Sequence, residues 1–249
     1  MEHSEYIREI AGSSAAILFI HGILGSPSHF NRFIDIVPKE WSVYNILLAG
    51  HGKSVDDFSA ASMQQWKEQV ARQMEVLTVK YEKIFIMAHS MGTLFALDAS
   101  IKYPGKVKGL FLLAVPLKPF IRPSAINGLV KVIFDRTKQD DKIAEATKNE
   151  YSIMPDKRLW KYGKWVFNYW SLFLEIRKMR GRIQLLSVPC QAFQSKRDEQ
   201  VAFSSVQYLK RSERIEVTVL EESGHSYYSE ADYTLLLEKF RRFCVYECV

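Results

Sequence analysis

Six short runs of apolar, β-branched and aromatic residues punctuate the chain: Ala16 to Ile20, Val43 to Leu48, Ile84 to Met87, Val107 to Ala114, Val188 to Gln194 and Ile215 to Leu220. Each is followed by Gly, Pro, Ser or charged residues of the kind that end strands. Within the runs the apolar positions are nearly continuous rather than alternating, which predicts strands buried on both faces of a parallel sheet. Helical patterns lie between them. Met63, Trp66, Val70, Met74 and Leu77 recur at steps of three and four, and Leu235, Leu236, Lys239, Phe240 and Phe243 trace a second stripe. Strand alternating with helix predicts the α/β class. Nothing resembles eight equal βα units, so an open, mostly parallel sheet flanked by helices is expected in place of a closed barrel.

Residues 117–182 interrupt this rhythm. Tyr162, Trp165, Val166, Tyr169 and Phe173 fall at helical steps, while Trp160, Phe167, Trp170 and Leu174 occupy another face. A helix apolar nearly all round is expected to be covered on more than one side. The segment holds 15 Lys and Arg against 7 Asp and Glu, whereas the rest of the chain holds 19 against 21, so the whole basic excess is local. The overall charge of +6 therefore does not speak for nucleic acid. The division expected is a core of 1–116 and 183–249 with an insertion at 117–182.

Other features narrow the classes. Gly12, Gly22, Gly25 and Pro27 break the longest uncharged run, so no transmembrane helix is expected. The mixed-charge N-terminus shows no signal-peptide pattern, and a cytoplasmic protein is the expectation. Three cysteines, Cys190, Cys244 and Cys248, are too few for a disulfide framework, and no ligand spacing suggests a metal.

Chemistry concentrates at Ile84-Phe85-Ile86-Met87-Ala88-His89-Ser90-Met91-Gly92, a strand running into Ser90 and then into a helical pattern from Met91 to Ile101. That is the setting of a nucleophile elbow, whose strained turn needs small residues two before and two after the serine. Ala88 and Gly92 meet the need. A serine hydroxyl requires a base, and the base requires an orienting carboxylate. Asp198 and His225 follow the fifth and sixth predicted strands, at the carboxyl ends where an open α/β sheet places its sites. Glu199 competes locally as the acid, and His3, His21, His29, His51 and His89 as the base, their ordinary role being structural. An oxyanion formed by attack of Ser90 needs backbone donors, for which Met91 and, in the loop His21-Gly22-Ile23-Leu24-Gly25, Ile23 are the candidates. That loop has neither the spacing nor the lysine of a phosphate cradle.

The segments HGILGS, LLAGHGKS, AHSMGT, SKRDEQV and EESGHS, in this order, resemble an α/β-hydrolase, most closely the bacterial carboxylesterases and monoacylglycerol lipases. The chain departs from that pattern at Ala49, where proline is usual, at Ala88, where glycine is usual, and at Thr93, where a small residue is common. The resemblance implies a serine hydrolase without cofactor that cleaves carboxylic esters, of short to medium acyl chain or monoacylglycerols. Ser90, Asp198 and His225 would be its triad, and residues 117–182 its helical lid. Apolar and aromatic lid residues, Trp165 and Trp170 among them, are expected to bind the acyl group. The partner is a small-molecule ester, with weak lid contact to a lipid surface and attraction of anionic substrates by the basic segment. Rival expectations are thioester or carbon–carbon hydrolysis on the same triad, or a non-catalytic binding protein of this fold.

Overall fold

The computed structural model describes residues 3–137 and 141–246, and Cys248 lies outside them. The strands are β1 (Tyr6–Arg8), β2 (Ala15–Ile20), β3 (Ser42–Ile46), β4 (Lys83–His89), β5 (Val107–Leu113), β6 (Cys190–Ser195) and β7 (Ile215–Leu220). They form one sheet in the order β1-β3-β2-β4-β5-β6-β7. All neighbours pair in parallel except β1, which runs antiparallel to β3. The helices are α1 (Asn31–Ile34), α2 (Val55–Ala60), α3 (Met63–Lys80), α4 (Met91–Lys102), α5 (Pro123–Ile133), α6 (Lys142–Glu150), α7 (Trp165–Arg182), α8 (Val206–Leu209) and α9 (Glu230–Tyr246).

The continuous apolar runs are explained by β2. All six of its residues are buried, with Ala16, Leu18 and Ile20 packing into one apolar cluster and Ala15, Ile17 and Phe19 into another. The first cluster takes in α3, α4 and α7, the second α1 and α9, so helices cover both faces. The stripe Met63, Trp66, Val70, Met74 and Leu77 is the buried face of α3, which opens with a reciprocal Ser62–Gln65 capping box. Strand β1 has no counterpart among the predicted runs. It is three residues long, and Tyr6 and Ile7 are exposed, so it carries too little periodicity to read.

The segment 117–182 lies between β5 and β6. Its last helix, α7, buries one stripe, Trp165, Asn168, Leu172, Ile176 and Met179. Ion pairs Lys67–Glu175 at 2.8 Å and Arg182–Asp98 hold it to α3 and α4. Burying Leu172, Ile176 and Met179 contributes about 1.5–3 kcal/mol each. The expected cover on a second side is absent among the described residues: Val166, Phe167, Trp170, Phe173 and Leu174 stay exposed, Phe167 at 71% and Trp170 at 65%. The apolar pattern reads as burial only because periodicity does not record which side meets the core.

Candidate active site

Strand β4 ends at His89 and α4 begins at Met91, leaving Ser90 alone at the turn with φ 50° and ψ −121°. Such a conformation costs a non-glycine residue about 1–3 kcal/mol and persists only where its surroundings hold it. Here Ser90 N donates to Leu113 O at 2.9 Å, while Thr93 donates to Ser90 O through its backbone N at 3.0 Å and its Oγ1 at 2.6 Å. Thr93, a departure from the family pattern, thus has its hydroxyl satisfied. A serine at a helix N-cap ordinarily turns its oxygen back onto the helix. Ser90 makes no such bond, and its Oγ lies 3.1 Å from His225 Nε2. The demand for glycine two residues on comes from β2, since a Cβ on Gly92 would stand 2.3 Å from Ile20 O.

His225 is buried on the loop after β7, and its Nδ1–H donates to Asp198 Oδ2 at 2.9 Å and Oδ1 at 3.1 Å. Asp198 is held in turn on the loop after β6, where Oδ1 accepts from Gln200 N and Val201 N at 2.8 Å each. Ser90, His225 and Asp198 therefore form one hydrogen-bonded line across three strand ends. Burial lowers the pKa of His225, but the charge and hydrogen bond of Asp198, joined by the charges of Glu199 and Glu150, outweigh it and push the ring up to about 9. Glu199 does not reach the ring's Nδ1 in place of Asp198; its Oε2 accepts from His225 N at 3.0 Å.

The remaining histidines occupy structural places. His21 donates from Nδ1 to Gly22 O at 2.8 Å and accepts at Nε2 from Leu48 N at 3.0 Å, with burial lowering it to about 4. It buckles the glycine loop to the end of β3. His51 packs edge-on against it. His89 lines the cavity described below, and its Nε2–H donates to His225 O at 3.0 Å. His29 stacks on His89 with ring centroids 4.2 Å apart and donates from Nδ1 to Glu150. The ligand-type atoms of His29, His89 and Glu150 lie within 4.8 Å of one another. Near-parallel stacked rings do not aim their lone pairs at one point, so these groups form a hydrogen-bonded wall rather than a ligand set. His29 entered the sequence reading only as a competing base with an ordinary structural role, and Glu150 did not enter it, since nothing near it in the chain marks it.

The loop carrying Ile23 sits against the elbow, because a Cβ on Gly22 would stand 2.9 Å from Ser90 Cβ. Leu24 there has φ 61°, and its carbonyl accepts from Ser152 N at 2.9 Å, which ties the segment 117–182 to this loop. Ala49 uses the N–H that proline would lack, donating to Gln69 Oε1 at 2.9 Å. A cavity of about 270 Å³ reaches from Ile23 and His225 into the segment 117–182, where Ile121, Leu129, Ile143, Trp165 and Tyr169 line it. Trp165 is thus placed in the cavity wall. Trp170, expected beside it, is absent from the wall and points to the exposed side, five residues being about 1.4 helical turns.

Residues 11–232 match the family described as Serine aminopeptidase, S33. The chain is 30% identical over 118 residues to the Probable lysophospholipase BODYGUARD 1 of Arabidopsis thaliana, a match spanning 45% of this chain and 24% of that protein. The chain thus matches about a quarter of the length of that curated relative. Among solved structures, one from the metagenome-derived lipolytic enzymes LipS and LipT shares 19% identity at TM-score 0.74, covering 98% of this chain and 97% of that one. The monoacylglycerol lipase of Paleococcus ferrophilus shares 13% at TM-score 0.71, covering 99% and 100%. These two likenesses show the fold.

Proposed function

We propose that this chain, which belongs to the serine aminopeptidase S33 family and has the α/β-hydrolase fold, is a serine hydrolase cleaving carboxylic esters, of short to medium acyl chain or monoacylglycerols. The line Ser90 Oγ, His225 Nε2, His225 Nδ1, Asp198 carries the proposal. With its ring neutral, His225 takes the Ser90 proton at Nε2 as Oγ attacks the ester carbonyl, and Asp198 holds Nδ1–H in place and stabilises the imidazolium. The first N–H groups of α4 have no intrahelical partner, which makes Met91 N–H a donor for the oxyanion, with Ile23 N–H the second. Collapse expels the alcohol, which receives the proton from His225, and water then cleaves the acyl-enzyme by the same route in reverse.

The apolar wall of the cavity supports a hydrocarbon acyl group over a sugar. The family description raises peptidase activity, in which a carboxylate would pair with a substrate α-ammonium. Two carboxylates line the cavity, but Glu150 is engaged by His29 and Glu199 by His225 N, which favours the ester. We further propose that residues 117–182 act as a lid, and that the outer face of α7 contacts lipid. Among the described residues no helix is long and apolar enough to cross a membrane. The exposed aromatics flanked by Lys164, Arg177 and Lys178 suit a surface contact with anionic lipid.

The test is labelling with a fluorophosphonate probe, followed by turnover of p-nitrophenyl, monoacylglycerol and aminoacyl-arylamide series. Wild type is expected to label at Ser90 and to hydrolyse the esters. Ser90→Ala is expected to lose labelling and several orders of magnitude in turnover with its folding midpoint nearly unchanged. More than a tenth of wild-type turnover in that variant removes Ser90 as nucleophile, and a folded wild type that never labels moves the protein to the binding class.

A further inference from the structure

We infer that Glu199 is a positioning residue for His225: its buried carboxylate fixes the histidine's main chain and places a second negative charge behind the ring. The role rests on the ester-hydrolase reading for the reaction it serves, and on geometry for the contact. Asp198 and Glu199 are consecutive, yet they grip one residue at two points, Asp198 at the ring Nδ1 and Glu199 at the backbone N, 3.0 Å from Oε2.

Burying a carboxylate is unfavourable unless hydrogen bonds and charge complement it. Glu199 is only 4% exposed, and burial is the main influence raising its pKa, with the Asp198 charge adding to the rise while His225 opposes it. The surrounding chain is built to accept it. A Cβ on Gly224 would stand 2.8 Å from Glu199 Oε2, so the carboxylate occupies the place a side chain before His225 would need. On the other side Arg122 N donates to Glu199 O at 2.8 Å, and Phe120 N to Gln200 O at 2.9 Å, pinning the acid loop to the start of the insertion. Glu199 thereby links the loops after β6 and β7 and the first residues of 117–182.

Its charge acts on the same proton. His225 is faced by Asp198 and Glu199 from the loop after β6, by Glu150 from the end of α6, and by the ring of His89 from β4, centroids 4.8 Å away. Burial lowers His89 well below the ordinary histidine range, leaving it neutral. The three carboxylates all favour the imidazolium that forms during proton transfer. Glu199→Gln keeps an acceptor for His225 N and removes the charge, whereas Glu199→Ala removes both.

The experiment is the pH dependence of fluorophosphonate labelling and of kcat and KM on a soluble ester, for wild type, E199Q and E199A, alongside their unfolding midpoints. E199Q is expected to move the acid-side limb down by about one pH unit, since losing a nearby negative charge disfavours protonated His225. E199A is expected to move the limb similarly and to lower kcat by about tenfold more than E199Q, with a smaller change in KM. An acid limb that stays in place in both variants, whatever their unfolding midpoints, overturns the inference, and so does an E199A plateau equal to that of wild type. If E199A does not fold, E199Q alone decides the matter by its limb. A wild type that never labels overturns the ester-hydrolase reading instead, so the two failures are told apart.

Discussion

The elbow between β4 and α4 and the outer face of α7 use apolar residues in opposite ways. Around Ser90, apolar side chains of β2, β4, β5 and α4 are buried, and a strained φ of 50° is held by that packing and by the hydrogen bonds with Leu113 and Thr93. On α7, five large apolar residues face solvent after the opposite stripe has secured the helix. Charge divides likewise. The cavity wall contains no Lys or Arg among the described residues, while Lys164 just before α7 and Arg177 and Lys178 on it are exposed. Rigid packing fixes the geometry of reacting atoms, and a face left uncovered is free to meet something else.

The largest effect is expected along the hydrogen-bonded line Ser90, His225, Asp198. Asp198→Asn should reduce kcat on a soluble ester by about 10³–10⁴, the amide favouring the wrong tautomer of His225. A larger loss from Glu199→Gln would exchange the roles of the two residues.

The pH dependence comes next. Because His225 is raised from 6.5 to about 9, activity should climb about tenfold per pH unit on the acid side of its limb, and that limb should lie above 6.5. Stability runs the other way: the charged His225–Asp198 pair contributes fully below pH 6.5, and the contribution is lost as pH rises through about 9. Kinetics and urea unfolding across pH 6 to 10 check both limbs, and parallel trends would refute the assignment.

Two glycines test the difference in packing. Gly92→Ala forces a Cβ against the Ile20 carbonyl and should cost about 3 kcal/mol, whereas Gly181→Ala in α7, with nothing within 4 Å of its Cβ, should stabilise by about 0.5–1 kcal/mol. Unfolding midpoints of the two variants measure it. The smallest effect belongs to the α7 face. The double change Phe167→Ser, Trp170→Ser should leave kcat/KM on a soluble ester within about twofold yet weaken flotation with phosphatidylglycerol vesicles several-fold. Equal flotation with wild type removes the lipid contact, and a shift from dimer to monomer would identify the occupant as a second copy.

The six main strands, the α3 stripe and the elbow were legible in the chain because each depends on local periodicity or on one turn's steric demand. Ser90 and Gly92 stand out together since the chain must pass from strand to helix within two residues. Strand β1 was not legible, being too short and exposed to show a pattern. Asp198 could be preferred to Glu199 as the partner of the histidine ring, but the contact of Glu199 with His225 N could not be read, because it depends on how the loop after β7 comes back to meet it.

The sequence by itself determined the α/β alternation, the strand-to-helix turn at Ser90 and the positions of Ser90, Asp198 and His225 after predicted strands, all consequences of short-range sterics and buried strands. Only the tertiary structure decided that Glu199 and Glu150 stand near His225, that His29 stacks on His89, and that Trp165 lines a cavity while Trp170 faces out. Those relations join residues far apart in the chain, Glu150 and His225 by 75 positions and His29 and His89 by 60. A hydrophobic pattern repeats along a helix without saying which side the rest of the chain will cover, and a charge acquires its neighbours only when separate loops converge at the ends of the sheet.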